Sequence, residues 1–98
     1  MDREFVLERL RAHERVLRAA GVQRLSLFGS VARGDAHPGS DIDLAAVLDH
    51  GQRIGLFRLQ AMVERIEDLL GVAVDLITEP VSKPRLQERI ERDRIRVF

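Results

Sequence analysis

Ile42 to Leu48 is apolar at every position except Asp43. A strand turns alternate side chains to opposite faces, so this segment has two apolar faces and belongs in the middle of a sheet that is covered on both sides. The rest of the chain supplies the neighbours. Leu25-Ser26-Leu27-Phe28 reads as a short strand broken by Gly29-Ser30. Val72 to Ile77 reads as a third, with Asp75 its only charge and Pro80 stopping it, because proline removes a ladder donor. Between Asp2 and Ala20 the residues Val6, Leu10, Leu17 and Ala20 make one helical stripe, with His13 on the same face and Gly21 at the end. Leu59, Met62, Val63, Ile66, Leu69 and Leu70 make another, ended by Gly71. Ser82-Lys83-Pro84 opens a last helix carrying Leu86 and Ile90, with Glu88 and Arg92 at the supportive four-residue spacing. The order helix, strand, short helix, strand, helix, strand, helix predicts an α/β (α+β) fold, residues 1–98 forming a single domain around a small mixed sheet of about three to four strands flanked by helices.

Composition removes several functions. The 16 Lys and Arg balance 16 Asp and Glu, so there is no whole-domain basic field of the kind nonspecific nucleic-acid binders use, and phosphate affinity must be local. The absence of Cys excludes a disulfide framework, a Cys-ligated zinc site and a thiol nucleophile, and suits a reducing compartment, so a cytoplasmic location is expected. No apolar run approaches the roughly 18 to 20 residues of a membrane span. His13, His37 and His50 assemble no catalytic or metal-binding pair by spacing, and are read as helix and loop residues.

The carboxylates carry the chemistry. Asp41 and Asp43, two apart at the start of a strand, leave the same face, while Ile42 and Leu44 go to the other. At this spacing of about 7 Å they can share one cation or a pair, and their mutual repulsion is costly without one. Asp75 stands in an otherwise apolar strand, where a charge has to be paired or coordinated, and a third strand beside the second brings it toward the same edge. An isolated Asp-x-Asp is more often a turn cap with a solvated strand start, so Asp75 weights the reading toward oxygen ligands for Mg²⁺ and a phosphate-bearing substrate. Gly29-Ser30 lies where a backbone can approach an anion closely. Gly29 to Gly34 has the spacing of a phosphate loop, but Asp35-Ala36 replaces its Lys and Ser or Thr. An EF-hand loop fails for want of a third oxygen ligand and its glycine.

Gly29-Ser30, ten intervening residues, Asp41-x-Asp43 and a later strand Asp75 resemble the signature of the polymerase-beta-like nucleotidyltransferase superfamily. Leu27-Phe28-Gly29-Ser30-Val31-Ala32-Arg33-Gly34-Asp35 followed by Ser40-Asp41-Ile42-Asp43-Leu44 is similar to its minimal (MNT-type) branch, and the resemblance covers nearly the whole chain. It implies two Mg²⁺ ions held by Asp41, Asp43 and Asp75, with ATP as substrate and Asp75 able to accept the proton of the attacking hydroxyl. It also implies that Gly29 and Ser30 bind the β and γ phosphates, that Arg33 adds phosphate neutralisation, and that Ser40 orients Asp41. Minimal members are typically paired with a HEPN-domain toxin ribonuclease, which makes the expected function adenylylation of a toxin tyrosine within a hetero-oligomer. The expected partners include neither nucleic acid directly nor a membrane. A chain of 98 residues leaves no room for an acceptor domain, so the acceptor must bring its own surface. The alternatives are neutralisation by binding alone, and nucleotidyl transfer to a small molecule or RNA.

Overall fold

The computed structural model describes residues 1–98. Its elements in chain order are α1 (Arg3–Ala12), α2 (Glu14–Ala20), β1 (Val22–Phe28), α3 (Gly29–Arg33), β2 (Ile42–Leu48), α4 (Leu56–Leu70), β3 (Val74–Thr78), α5 (Pro84–Asp93) and β4 (Ile95–Arg96). The four strands form one mixed sheet in the order β3-β2-β1-β4. β1 pairs antiparallel with both β2 and β4, and β2 pairs parallel with β3. The apolar β2 is an inner strand, as its composition requires.

Strict alternation sorts the sheet residues. Leu25, Leu27, Ile42, Leu44 and Ala46 join the larger core, with Val6, Leu7, Leu10 and Leu17 from the first two helices and Met62, Ile66 and Leu70 from α4. Phe28 and Ala45 face the other way and pack with Ile90 of α5, flanked by Ile77, Val81 and Leu86. Helices therefore cover both faces, three on one and α5 on the other. Burying a Leu or Ile side chain contributes about 1.5 to 3 kcal/mol, so the larger core supplies most of the apolar stabilisation and α5 the lesser share.

Five details depart from the sequence reading, the simplest being that the third strand runs Val74–Thr78 and not Val72 to Ile77. The first helix is two helices, because the His13 amide bonds back to the Leu10 carbonyl at 3.1 Å, a tighter three-residue turn, and the His13 ring nitrogen lies 2.9 Å from the Arg9 carbonyl. The first strand begins at Val22, whose buried side chain is separated from Leu25 by exposed Gln23 and Arg24, where the pairing with β2 shifts register. The chain end adds β4, two residues that pair Ser26 with Arg96 and Leu27 with Ile95 and are too short to show periodicity. Glu88 and Arg92 do not pair, since Arg92 turns to the carboxylate of Asp93 at 3.2 Å. No helix is long and apolar enough to cross a membrane.

Candidate active site

β1 delivers the chain into α3 through Gly29, whose φ of 78° lies in the left-handed region that glycine adopts without steric cost. The space around it is equally restrictive. A Cβ at Gly29 would collide with the Asp43 carboxylate, with Asp43 Cγ at 3.0 Å. Position 29 is thus the point where backbone approaches Asp43 with nothing between them, and Phe28 is the cross-strand partner of Asp43. The short α3 then closes in a Schellman arrangement, with the Gly34 amide donating to Val31 at 3.2 Å and the Asp35 amide to Ser30 at 3.0 Å. Ser30 is half-buried in the first turn of α3.

The parallel register sets Asp43 opposite Asp75, so both project on the α5 face of the sheet. Asp41 precedes the strand and is exposed. Burial raises the pKa of Asp43, the negative charge of Asp75 raises it further, Arg89 pulls it back, Asp41 raises it and Arg33 lowers it. Asp75 and Asp41 therefore both bear on Asp43. The three carboxylates form no ready-made group of three or more His, Asp or Glu side chains able to hold a metal ion. The fit to a divalent hard cation rests on the oxygen donor set and on the unfavourable charge at Asp43, which a cation would relieve.

The burial argument for Asp75 does not survive. β3 is an edge strand and Asp75 is exposed, so solvent satisfies its charge, and its place in the site comes from the register with Asp43. Arg33 is held by two carboxylates, Asp93 at 2.7 Å and Asp35 at 3.1 Å, which raise its pKa and join α3 to α5. Ser40 bonds to His37 and makes no hydrogen bond to Asp41: its hydroxyl accepts from the His37 amide at 3.2 Å, and its own amide donates to the His37 carbonyl at 3.0 Å. It is a turn residue of the loop between α3 and β2. His37 and His50 are exposed loop residues and His13 is half-buried at the helix break.

Arg89 of α5 is a residue that sequence reasoning did not nominate. It acts on Asp43 ahead of Arg33. Its only signal was membership of an arginine-rich helix, which does not reveal the face it occupies. A cleft of about 310 Å³ also opens beside Asp41, with Val31, Ala36, His37, Val72 and Ala73 in its wall.

A glycine turn set against a strand carboxylate, with a second carboxylate in register beside it, is the arrangement expected from the spacing. Residues 9–97 match the family model described as nucleotidyltransferase domain. The chain belongs to the nucleotidyltransferase family. Similar curated relatives of this nucleotidyltransferase include a candidate protein adenylyltransferase of Methanocaldococcus jannaschii, 36% identical over 92 residues and covering 92% of both chains. The protein adenylyltransferase MntA of Thermococcus cleftensis is 33% identical over 85 residues, covering 86% of this chain and 84% of the relative. A solved candidate minimal nucleotidyltransferase superposes with a TM-score of 0.70 at 37% identity, covering 97% of this chain and 95% of that one. A tri-AMPylated Shewanella oneidensis HEPN toxin in complex with MNT antitoxin matches with a TM-score of 0.67 at 16% identity, covering 98% of this chain and 71% of that one, a likeness of fold.

Proposed function

We propose that this nucleotidyltransferase is a Mg²⁺-dependent protein adenylyltransferase, the antitoxin of a toxin-antitoxin pair, transferring AMP from ATP to a tyrosine of a HEPN-type toxin. The observation that carries this reading is the register of Asp43 with Asp75 beside a glycine whose missing side chain leaves the approach to Asp43 open. The relatives named as adenylyltransferases and the fold shared with an antitoxin bound to an AMPylated HEPN toxin support the donor and the partner.

Asp41, Asp43 and Asp75 would hold two Mg²⁺ ions, which supply charge neutralisation at the triphosphate and lower the pKa of the acceptor hydroxyl. The chain's own residues do the rest. Gly29 and Ser30 bind the outer phosphates, Gly29 by backbone approach and Ser30 through its hydroxyl. Asp75, exposed on the edge strand, is reachable by a hydroxyl arriving from another protein and takes up its proton. The acceptor oxygen bonds to the α-phosphorus, the bond from that phosphorus to the bridging oxygen of the β-phosphate breaks, and pyrophosphate leaves with the negative charge. The protein partner completes the acceptor side.

The test is transfer of label to a HEPN-type toxin from ATP labelled at either the α- or the γ-phosphate. Adenylylation incorporates the α-label alone and requires Mg²⁺. Incorporation of the γ-label would identify a phosphoryl transfer and overturn the reading.

A further inference from the structure

The cation that sequence reasoning assigned to the phosphates, Arg33, already sits between Asp35 and Asp93. A different arginine stands on the helix that packs over the Asp43 face of the sheet. Arg89 immediately precedes Ile90, which is fully buried against Phe28 and Ala45. Phe28 is the cross-strand partner of Asp43, and Ala45 follows Asp43 by two residues on the same face of β2. Along α5, Arg89 lies three residues after Leu86, which packs on the same small cluster, and four before Asp93, whose carboxylate grips Arg33 of α3. Residues at such spacings share one side of a helix, so Leu86, Arg89 and Asp93 run along the side of α5 turned toward α3 and the carboxylates.

Arg89 is exposed and takes part in none of the chain's ion pairs. It flanks Asp93 on the helix whose Ile90 packs over Phe28 and Ala45, the residues that bracket Asp43 on that face of the sheet. A free guanidinium on the helix covering the carboxylate face suits a ligand carrying several anionic oxygens, bound through cations on one side and directly on the other. A planar guanidinium matches phosphate oxygens in pairs, and charge-assisted hydrogen bonds of that kind are the strong ones.

We propose that Arg89, and not Arg33, is the arginine that binds the β- or γ-phosphate of the nucleoside triphosphate, while Arg33 is a positioning residue that fixes α3 to α5. The inference rests on the nucleotidyl-transfer reading and names one contact within it. As the bond to the α-phosphorus breaks, charge gathers on the departing pyrophosphate, where Arg89 would stabilise it.

The experiment measures Mg²⁺-dependent binding of AMP-PNP and of pyrophosphate to the wild-type chain and to Arg89→Ala, Arg89→Lys and Arg33→Ala, with a melting curve for each. One charge-assisted contact corresponds to about a 10- to 100-fold change in affinity. Arg89→Ala is expected to lose that much for both ligands with its melting temperature unchanged. Arg89→Lys recovers part of the loss. Arg33→Ala melts at a lower temperature. With a toxin acceptor in place, Arg89→Ala raises the KM for ATP more than it lowers kcat. Wild-type affinity in Arg89→Ala would overturn the proposal, and so would a loss of affinity that tracks a falling melting temperature and that lysine does not rescue. A wild-type chain that binds AMP-PNP without transferring AMP would contradict the catalytic reading alone, and the Arg89 contrast would still decide this contact. A wild-type chain that binds neither ligand would overturn both.

Discussion

Asp43 is the residue at which stability and the proposed activity oppose each other. Its raised pKa, caused first by burial and then by Asp75, means that the charged form is disfavoured in the folded chain. Asp43→Asn removes that charge, so in metal-free buffer near neutral pH it should melt no lower than wild type and rise above it if repulsion dominates, while AMP transfer disappears. Melting and turnover on the same preparations check this, and a large fall in melting temperature would contradict it. Gly29→Ala should fail on both counts. Left-handed backbone costs an L-residue roughly 1 to 2 kcal/mol, and the added methyl must also displace the Asp43 carboxylate. Denaturant unfolding together with turnover reads the two losses. The strand that carries Asp43 and the glycine before Ser30 were legible in the sequence because alternation and backbone freedom are local properties, whereas Asp41 lies just before β2 and outside its alternation. The partners that Arg33 and Ser40 find, Asp93 on α5 and His37 in a loop, were not legible because they depend on tertiary packing and turn geometry. Arg89 was invisible for the same reason.

At the scale of elements, an ion pair joins the end of β3 to the end of α5, the helix that carries Arg89. Arg94, just past α5, meets Glu79, just past β3, through two hydrogen bonds of 2.9 and 2.6 Å, and also donates to the Ser26 hydroxyl of β1 at 2.9 Å. The Glu79 side chain is only 9% exposed. Arg94, and secondarily Gln87, lowers its pKa. A depressed carboxylate contributes stability above its ordinary titration range, and that contribution is lost as pH falls through the folded value. Glu79→Gln is therefore expected to cost about 2 kcal/mol near neutral pH. The gap from wild type should narrow on acidification below about pH 4, because the wild-type glutamate then titrates in the unfolded chain and next in the fold. Unfolding curves at both pH values measure it, and a gap that widens in acid would contradict the sign. The end of α4 at Gly71 and the start of α5 at Pro84 followed from simple stop and start signals. The break at His13 did not, since the apolar stripe continues through it and only hydrogen bonding interrupts the helix.

Across the whole molecule, one sheet separates two tasks. The face bearing Leu25, Leu27, Ile42 and Leu44 is committed to the larger core, and the other, bearing Phe28, Ala45, Asp43 and Asp75, is shared between α5 and the carboxylates. The chain end closes the edge beside β1: Val97 donates to the Leu25 carbonyl at 2.8 Å, Leu25 donates to the Phe98 carbonyl at 3.2 Å, and the Arg18 guanidinium stacks 4.7 Å from the Phe98 ring centroid. Phe98→Ala should cost about 3 kcal/mol, measured by denaturant unfolding, because it empties a buried site without removing those backbone bonds. The two-faced character of β2 was enough to place it inside a helix-covered sheet, yet β4 could not be anticipated because two residues carry no period. The central claim is that the Asp43 face catalyses AMP transfer to a protein. It is tested most directly by the intact mass of a HEPN-type toxin incubated with ATP, Mg²⁺ and either the wild-type chain or an Asp41→Ala, Asp43→Ala double variant. The account predicts mass gains in whole AMP units with the wild-type chain and none with the variant; a toxin that is bound and silenced by the wild-type chain at unchanged mass would contradict it.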